Sequence, residues 1–150
     1  MDAAEKGRLA KRNFEQGYNC AQAVLLAFCD ETGLPREQAA RLASSFGGGI
    51  GRMREVCGAV SAMCMIEGLL EGYSDPQAKD EKSALYARVR SLAERFAQRN
   101  HSILCRDLLI DTQTTPGGEP EERTRGYYER RPCGSYVEDA AVLIAEALEG

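Results

Sequence analysis

The sequence contains no tryptophan, only one histidine, and few aromatic residues, which amount to 7% of the chain. Proteins that bind nucleic acids use basic surfaces to contact phosphates and aromatic side chains to stack on bases. Neither feature is present, since the formal net charge is −4 and the isoelectric point is near 5.2. We therefore expect no nucleic-acid partner. Hydrolysis by a Cys-His pair is also not expected, because His101 has no second histidine beside it and no matched nucleophile.

Long apolar segments are absent as well. The longest apolar run, Ala23 to Cys29, is too short to cross a bilayer. Residues 1–16 are charged and lack the apolar region of a secretion signal. We therefore expect a cytoplasmic protein without membrane insertion. In that reducing compartment, six cysteines are expected to stay reduced and to serve catalysis or metal binding rather than a disulfide framework.

The apolar residues recur with helical spacing nearly throughout, and no alternating run is long enough to predict a sheet. The sequence therefore predicts an all-α fold: one domain over residues 1–150, built as a bundle of about five to six helices. The predicted helical segments are residues 2–16, 19–33, 35–46, 57–70, 75–99, a short 102–110, and the segment from 135 onward. Residues 111–126 have the proline, glycine and charge content of a loop.

Capping patterns support two of these helices. Asn19 with Gln22 and Ser135 with Glu138 each have the spacing of a capping box, which predicts a helix start. The segment 57–70 is apolar on nearly all sides. We therefore expect it to be the central buried helix of the bundle, directly after a glycine-rich turn.

Four of the six cysteines stand at predicted helix beginnings: Cys20, Cys57, Cys105 and Cys133. A thiol in the first turn of a helix faces unpaired backbone N–H groups, which favour the thiolate and make the sulfur a better nucleophile and metal ligand. Because these cysteines are far apart in sequence, a joint site requires tertiary packing. Cys29 and Cys64 lie inside apolar runs and are predicted to pack as small apolar side chains.

Glycine is concentrated before and after Cys57, at Gly47, Gly48, Gly49, Gly51 and Gly58. One interpretation is that backbone N–H groups closely approach a cluster, a sulfur or an anion. The other is a tight connection between two packed helices. Arg52 and Arg54 flank the turn and could hold a thiolate or an anionic partner, or be solvated. His101, four residues before Cys105, is either a surface or capping residue or a ligand.

The glycine turn followed by Cys57-Gly58-Ala59 resembles the C_GCAxxG_C_C family, which is described as redox-active. The resemblance also includes the YNCAQAV stretch from Tyr18 to Val24 and two later cysteines, and so covers most of the chain. The order Cys57-Gly58-Ala59 differs from the Gly-Cys-Ala of the family name, and Ala62 stands where that name places a glycine. The resemblance implies that the family's four cysteines are Cys20, Cys57, Cys105 and Cys133.

Three functions remain open. The four cysteines could bind an iron-sulfur cluster, most simply with two irons, and carry electrons. They could instead exchange thiols and disulfides, with Cys57 as the favoured low-pKa nucleophile. Alternatively, they could hold zinc in a structural four-thiolate site without catalysis. The partner would be a redox protein or a small-molecule oxidant or reductant, and the outer helix stripes fit either a monomer or a homodimer.

Overall fold

The computed structural model describes residues 1–149, and the predicted domain also includes Gly150, which lies outside them. The α-helices are α1 (Ala3–Glu15), α2 (Cys20–Leu26), α3 (Cys29–Thr32), α4 (Arg36–Ala43), α5 (Gly58–Glu71), α6 (Lys79–Asn100), α7 (Cys105–Leu108), α8 (Arg125–Arg130) and α9 (Cys133–Glu149), with a 3₁₀ helix at Ser44–Phe46. Within the described chain, the one β-type pairing is an isolated bridge between Val56 and Leu104. The all-α prediction is confirmed.

Helix α5 lies at the centre of the bundle, as its apolar sequence predicts. It packs against α2, α6 and α9, while α1 lies along α9 and α2. The face of α5 that enters the core carries Ala59, Val60, Ala62, Met63 and Ile66, all buried. Burial of each larger side chain among them contributes about 1.5–3 kcal/mol to the free energy of folding. This core holds the first residues of α2, α5 and α9 close to one another at one end of the bundle.

Asn19 begins α2 as predicted. Its side chain accepts a hydrogen bond from the N–H of Gln22 at 2.8 Å, and the Gln22 side chain accepts from the N–H of Asn19 at 3.0 Å. This capping box orients the first turn of the helix. A second bond, from Asn19 Nδ2 to the carbonyl of Ser44 at 3.1 Å, connects that turn to the 3₁₀ helix before the glycines.

The prediction of one helix over residues 19–33 is wrong, because the helix is interrupted at Ala27 and Phe28. The N–H groups of both residues bond three residues back, which tightens the last turn of α2. The Ala27 carbonyl accepts a bond from buried Lys6 of α1 at 2.8 Å, and the Lys6 ammonium lies 4.9 Å from the Phe28 ring centre. A tertiary contact therefore occupies the carbonyl at the break, and Cys29 begins a new helix.

Three other boundaries differ from the prediction. The long helix α6 starts at Lys79 rather than Asp75, because Asp75 accepts a bond from Gln77 N–H in a turn before the helix. Helix α9 starts at Cys133, two residues before the predicted cap at Ser135. Helix α8 lies partly within the predicted loop 111–126, where the Thr124 hydroxyl caps it by accepting from the N–H of Tyr127.

No helix among residues 1–149 has both the length and the apolar character that a membrane crossing requires.

Candidate functional site

The four predicted site cysteines all stand at helix beginnings. Cys20, Cys105 and Cys133 are the first residues of α2, α7 and α9, and Cys57 directly precedes α5. Cys57, Cys105 and Cys133 are buried, and Cys20 is partly buried. All six cysteines are free thiols. The sequence-based placement of these four cysteines is therefore confirmed at the level of local structure.

One cavity of about 220 Å³ brings these cysteines together. Its lining includes Cys20, Cys57, Cys105, Cys133 and the five predicted glycines Gly47, Gly48, Gly49, Gly51 and Gly58. Cys29, Cys64 and His101 do not line it. His101 instead ends α6 in the left-handed conformation, with φ of 66°, as a capping residue. The cysteines that the sequence separates by tens of residues thus face one space.

The glycine turn has an unusual left-handed backbone. The five consecutive residues from Gly48 to Arg52 have positive φ angles between 54° and 70°, and Arg54 follows with 61°. The N–H groups of Arg54 and Glu55 reach back six residues to the carbonyls of Gly48 and Gly49, at 3.1 and 2.9 Å. Because side chains other than glycine rarely adopt this conformation, each non-glycine residue in the turn carries strain of about 1–2 kcal/mol.

A Cβ atom would clash at four of the five site glycines, all but Gly51, and two of these close contacts shape the site directly. A Cβ atom on Gly49 would lie 2.7 Å from Cys105 Cβ and 2.7 Å from the Glu55 nitrogen. A Cβ on Gly58 would lie 2.8 Å from the Phe46 carbonyl oxygen. The turn is therefore a tight helix connection, and it also brings backbone against a site cysteine, so both sequence interpretations describe part of it.

A short antiparallel pairing holds the segments that contain Cys57 and Cys105 side by side. The N–H of Cys57 donates to the Ile103 carbonyl at 2.8 Å, and the N–H of Cys105 donates to the Glu55 carbonyl at 2.7 Å. The Val56–Leu104 bridge lies between these bonds. The segment that leaves the glycine turn thus fixes the starts of both α5 and α7.

Cys20 and Cys133 form an interacting pair in the cavity. A hydrogen bond between the two side chains lowers the pKa of Cys133, which the positive charges of Arg131 and Arg123 lower further, to about 7 against the opposing effect of burial. The same hydrogen bond, together with burial and the negative charge of Cys133, raises the pKa of Cys20. Cys133 is therefore the more acidic thiol of the pair.

The expectation that Cys57 is the low-pKa thiol is wrong. Burial raises its pKa to about 12, even though hydrogen bonds from the backbone N–H groups of Ala59 and Val60 act in the opposite direction. Burial also raises the pKa of Cys105, which the hydrogen bond and charge of Arg54 partly offset. A helix N-terminus alone does not produce a thiolate where the sulfur is removed from water.

Arg54 contacts a site sulfur, as one of the two interpretations of the sequence anticipated. Its Nη1 donates to Cys105 Sγ at 3.6 Å. Arg52 instead donates to the carbonyls of Thr115 and Glu119, and so connects the glycine turn to the loop 111–124. Both arginines line the cavity.

Sequence reasoning missed two arginines that also line the cavity, Arg123 and Arg131. Arg123 lies 4.6–4.7 Å from the ring centres of Phe14 and Tyr127 and donates to the Tyr18 carbonyl at 3.1 Å. Arg131 is buried and pairs with Glu121 at 3.2 Å. The signal that could have found them is the dense mixture of arginine and tyrosine in residues 123–131, directly before Cys133.

The cysteines do not form a ready metal site in this structure. Within residues 1–149, no three Cys, His, Asp or Glu side chains are grouped so that they could hold one metal ion. The four thiols share a cavity without converging on one point, and two of them are held by other partners, Cys105 by Arg54 and Cys133 by Cys20. Among the described residues, the structure therefore contains no preassembled ligand set for an iron-sulfur cluster or a four-thiolate zinc ion.

A comparison with protein families matches residues 18–147 to the family described as "Putative redox-active protein (C_GCAxxG_C_C)". The chain belongs to this family. The match includes all four cavity cysteines and the glycine turn, and it confirms the resemblance seen in the sequence. Neither the curated proteins nor the solved structures contain a significant match to the chain.

Proposed function

We propose that this C_GCAxxG_C_C protein is a thiol-disulfide oxidoreductase in which Cys133 is the attacking thiol and Cys20 the resolving thiol. The observation that carries the proposal is that Cys20 and Cys133, at the starts of α2 and α9, line one cavity beside Arg123 and Arg131. This position lowers the pKa of Cys133 to about 7. An attacking thiol is most effective when its pKa is near the ambient pH, because it is then both ionised and nucleophilic.

The proposed reaction has two exchanges. The Cys133 thiolate attacks one sulfur of a substrate disulfide, so that a Cys133–substrate disulfide forms and the other half of the substrate leaves as a thiolate. Cys20 then attacks Cys133 Sγ, which releases the second half as a thiol and leaves a Cys20–Cys133 disulfide. Two electrons pass from the cysteine pair to the substrate. The proton of Cys20 goes to the second half, and the first half takes its proton from solvent. An external dithiol returns the protein to its reduced form.

The neighbouring charges support this order of events. Arg131 and Arg123 stabilise the Cys133 thiolate before the first exchange. Among the causes that raise the pKa of Cys20, the largest is the interaction with Cys133. When Cys133 enters the mixed disulfide its charge disappears, so the pKa of Cys20 falls and the resolving thiol becomes easier to ionise. Each cysteine thus acts at the step where it is ionised.

Cys57 and Cys105 have supporting positions in this proposal. Burial keeps both as neutral thiols near pH 7, and Cys105 also accepts the hydrogen bond from Arg54. They contribute neutral polar surface beside the reacting pair. Reduced thiols of this kind require a reducing compartment, in agreement with the expected cytoplasmic location.

An iron-sulfur site is the second candidate, because four cysteines line one cavity. Four thiolates are the usual ligand set of such clusters. The sulfurs would have to move together from their present positions, since no three of them are grouped for one metal ion within residues 1–149. A structural zinc site requires the same movement.

Peptide mapping after reaction with a neutral disulfide, bis(2-hydroxyethyl) disulfide, tests the proposal. We expect a disulfide between Cys20 and Cys133 in the original protein, and a stable mixed disulfide on Cys133 in the Cys20→Ser variant. Cys133→Ser should remove the rapid reaction of the protein with this disulfide. Cys64→Ser changes a cysteine outside the cavity and should leave that reaction unchanged. Rapid labelling of another cysteine, or brown anaerobic protein with matched iron and sulfide, would contradict the proposal.

A further inference from the structure

The cavity carries an excess of positive charge in an otherwise acidic protein. Four arginines line it, Arg52, Arg54, Arg123 and Arg131, against one carboxylate, Glu121. Glu121 is already occupied, because it pairs with Arg130 and Arg131 and accepts a bond from the Thr115 N–H. The whole chain has a formal net charge of −4, so the cavity opposes the charge of the molecule as a whole.

Three of these guanidinium groups have no carboxylate partner. No Asp or Glu oxygen in residues 1–149 lies within 4.0 Å of Arg52, Arg54 or Arg123, although ten such ion pairs exist elsewhere in that part of the chain. Their recorded acceptors are carbonyl oxygens, hydroxyls and the sulfur of Cys105. Burial lowers the pKa of Arg52, and repulsion from Arg54 and Arg131 lowers it further.

Backbone N–H groups add hydrogen-bond donors to this positively charged cavity. Gly48 and Gly49 line the cavity, and the N–H of neither residue has an acceptor in the described chain. Consecutive backbone N–H groups in a turn form a recurring anion site in proteins. Together with planar guanidinium groups, which bind carboxylates through paired hydrogen bonds, they favour an oxyanion group on the ligand.

The size of the cavity limits the ligand. A volume of about 220 Å³ is smaller than the roughly 300–1,000 Å³ of pockets that hold drug-sized molecules. Cys133, which lines the cavity, is 7% exposed, so the disulfide of a folded protein has little access to the sulfur. A small molecule fits this access better than a protein partner does.

We propose that the site selects a small disulfide that carries carboxylate groups, with the carboxylate held by Arg54 and the neighbouring cavity arginines while Cys133 attacks the sulfur. The disulfide part of this proposal rests on the proposed function, whereas the carboxylate part rests on the charges alone. The reaction is the exchange already described, with the substrate leaving as two anionic thiols.

Three disulfides with chains of similar length and different charge provide the test: 3,3′-dithiodipropionate (anionic), bis(2-hydroxyethyl) disulfide (neutral) and cystamine (cationic). Each rate of exchange with the protein is divided by the rate of the same disulfide with a small neutral thiol. We expect the anionic disulfide to have the highest ratio. Arg54→Gln should lower the anionic-to-neutral preference by about ten- to a hundredfold, the loss typical of one hydrogen bond to a charged group.

Matched variants distinguish the effect of an arginine at the cavity from the effect of the net charge of the protein. Arg54→Lys should retain most of the preference, because it keeps the cation. Arg90→Gln removes the same charge from an exposed position on α6 that does not line the cavity, and should leave the preference unchanged. Equal ratios for the three disulfides, or equal losses in Arg54→Gln and Arg90→Gln, would overturn the carboxylate assignment.

A binding measurement distinguishes failure of the two proposals. Calorimetric titration of 3,3′-dithiodipropionate into Cys133→Ser protein should detect binding that Arg54→Gln weakens. Binding without any exchange in the original protein would support the anion site and overturn the thiol-disulfide function. Exchange without charge preference and without binding would leave the function standing and overturn the anion site.

Discussion

Cys133 and Cys57 show how strongly the ionisation of a thiol depends on its neighbours rather than on its place in a helix. Both stand at the beginning of a helix and both are buried. The pKa of Cys133 is lowered to about 7 by Cys20 and two arginines, whereas burial raises that of Cys57 to about 12. Specific hydrogen bonds and full charges therefore outweigh the partial charge of a helix end, whose contribution is about 0.3–1 kcal/mol.

The hydrogen bond from Cys20 can be tested through the pH dependence of Cys133 alkylation. The rate of iodoacetamide labelling should rise with pH through a midpoint near 7 and level off above it, because only the thiolate reacts. Cys20→Ala removes the donor and should raise the midpoint by about one to two pH units. Cys20→Ser keeps a hydroxyl donor and should show a smaller increase. An unchanged midpoint in Cys20→Ala would contradict the assigned cause.

At the scale of structural elements, the left-handed turn is the feature that shapes the site. Its glycines allow positive φ angles. Its backbone hydrogen bonds, which span six residues, hold Glu55 where its carbonyl accepts from the N–H of Cys105. Ile50, Arg52 and Arg54 adopt the same conformation at an energetic cost, which the surrounding helices offset. This strained backbone places two arginines and the glycine residues of the turn at the cavity.

Alanine substitutions at three glycines should separate close packing from backbone conformation. Gly49→Ala meets both a positive φ of 70° and contacts of 2.7 Å, and should destabilise the protein by about 2–5 kcal/mol. Gly51→Ala meets only a φ of 54° in open space and should cost about 1–2 kcal/mol. Gly68→Ala, inside α5 with no close neighbour, should stabilise by about 0.5–1 kcal/mol. Denaturant unfolding measures all three, and an equal loss at Gly49 and Gly51 would show that packing against Cys105 is unimportant.

At the scale of the whole molecule, most of the core lies outside the cysteine site, although Cys57, Cys105 and Cys133 are part of it. Buried apolar side chains from α1, α2, α4, α5, α6 and α9 form one continuous cluster, and the cavity lies at one end of it. A chain of 150 residues buries roughly 68–70% of the surface that its unfolded form exposes. We therefore expect the fold not to depend on a metal ion or a disulfide for its stability.

Thermal unfolding of reduced protein, purified without chelators, tests this conclusion and the prediction of one domain. Far-UV circular dichroism and tyrosine fluorescence should report a single coincident transition. Addition of EDTA should move the midpoint by less than about 2 °C, which corresponds to less than 1 kcal/mol at this size. A large decrease in the midpoint would support the structural zinc alternative, and two separate transitions would contradict a single domain.

Local signals in the sequence were sufficient where a few neighbouring residues decide the structure. The capping box at Asn19, the apolar stretch of α5 and the end of α6 near residue 99 all follow from residues within a turn of one another. Prediction failed where distant residues intervene. Lys6 accompanies the break at Ala27, and the contacts of Arg123 and Tyr127 with α1 accompany the unpredicted helix α8.

The sequence by itself determined the helical class, the position of four cysteines near helix starts and the glycine turn before α5, because caps, periodicity and backbone freedom act over a few residues. Only the tertiary structure decided that those cysteines share one cavity, that Cys133 rather than Cys57 has the lowered pKa, and that unpaired arginines surround it. Burial and charge act through space, and residues 20 and 133 become neighbours only when α2 and α9 pack together.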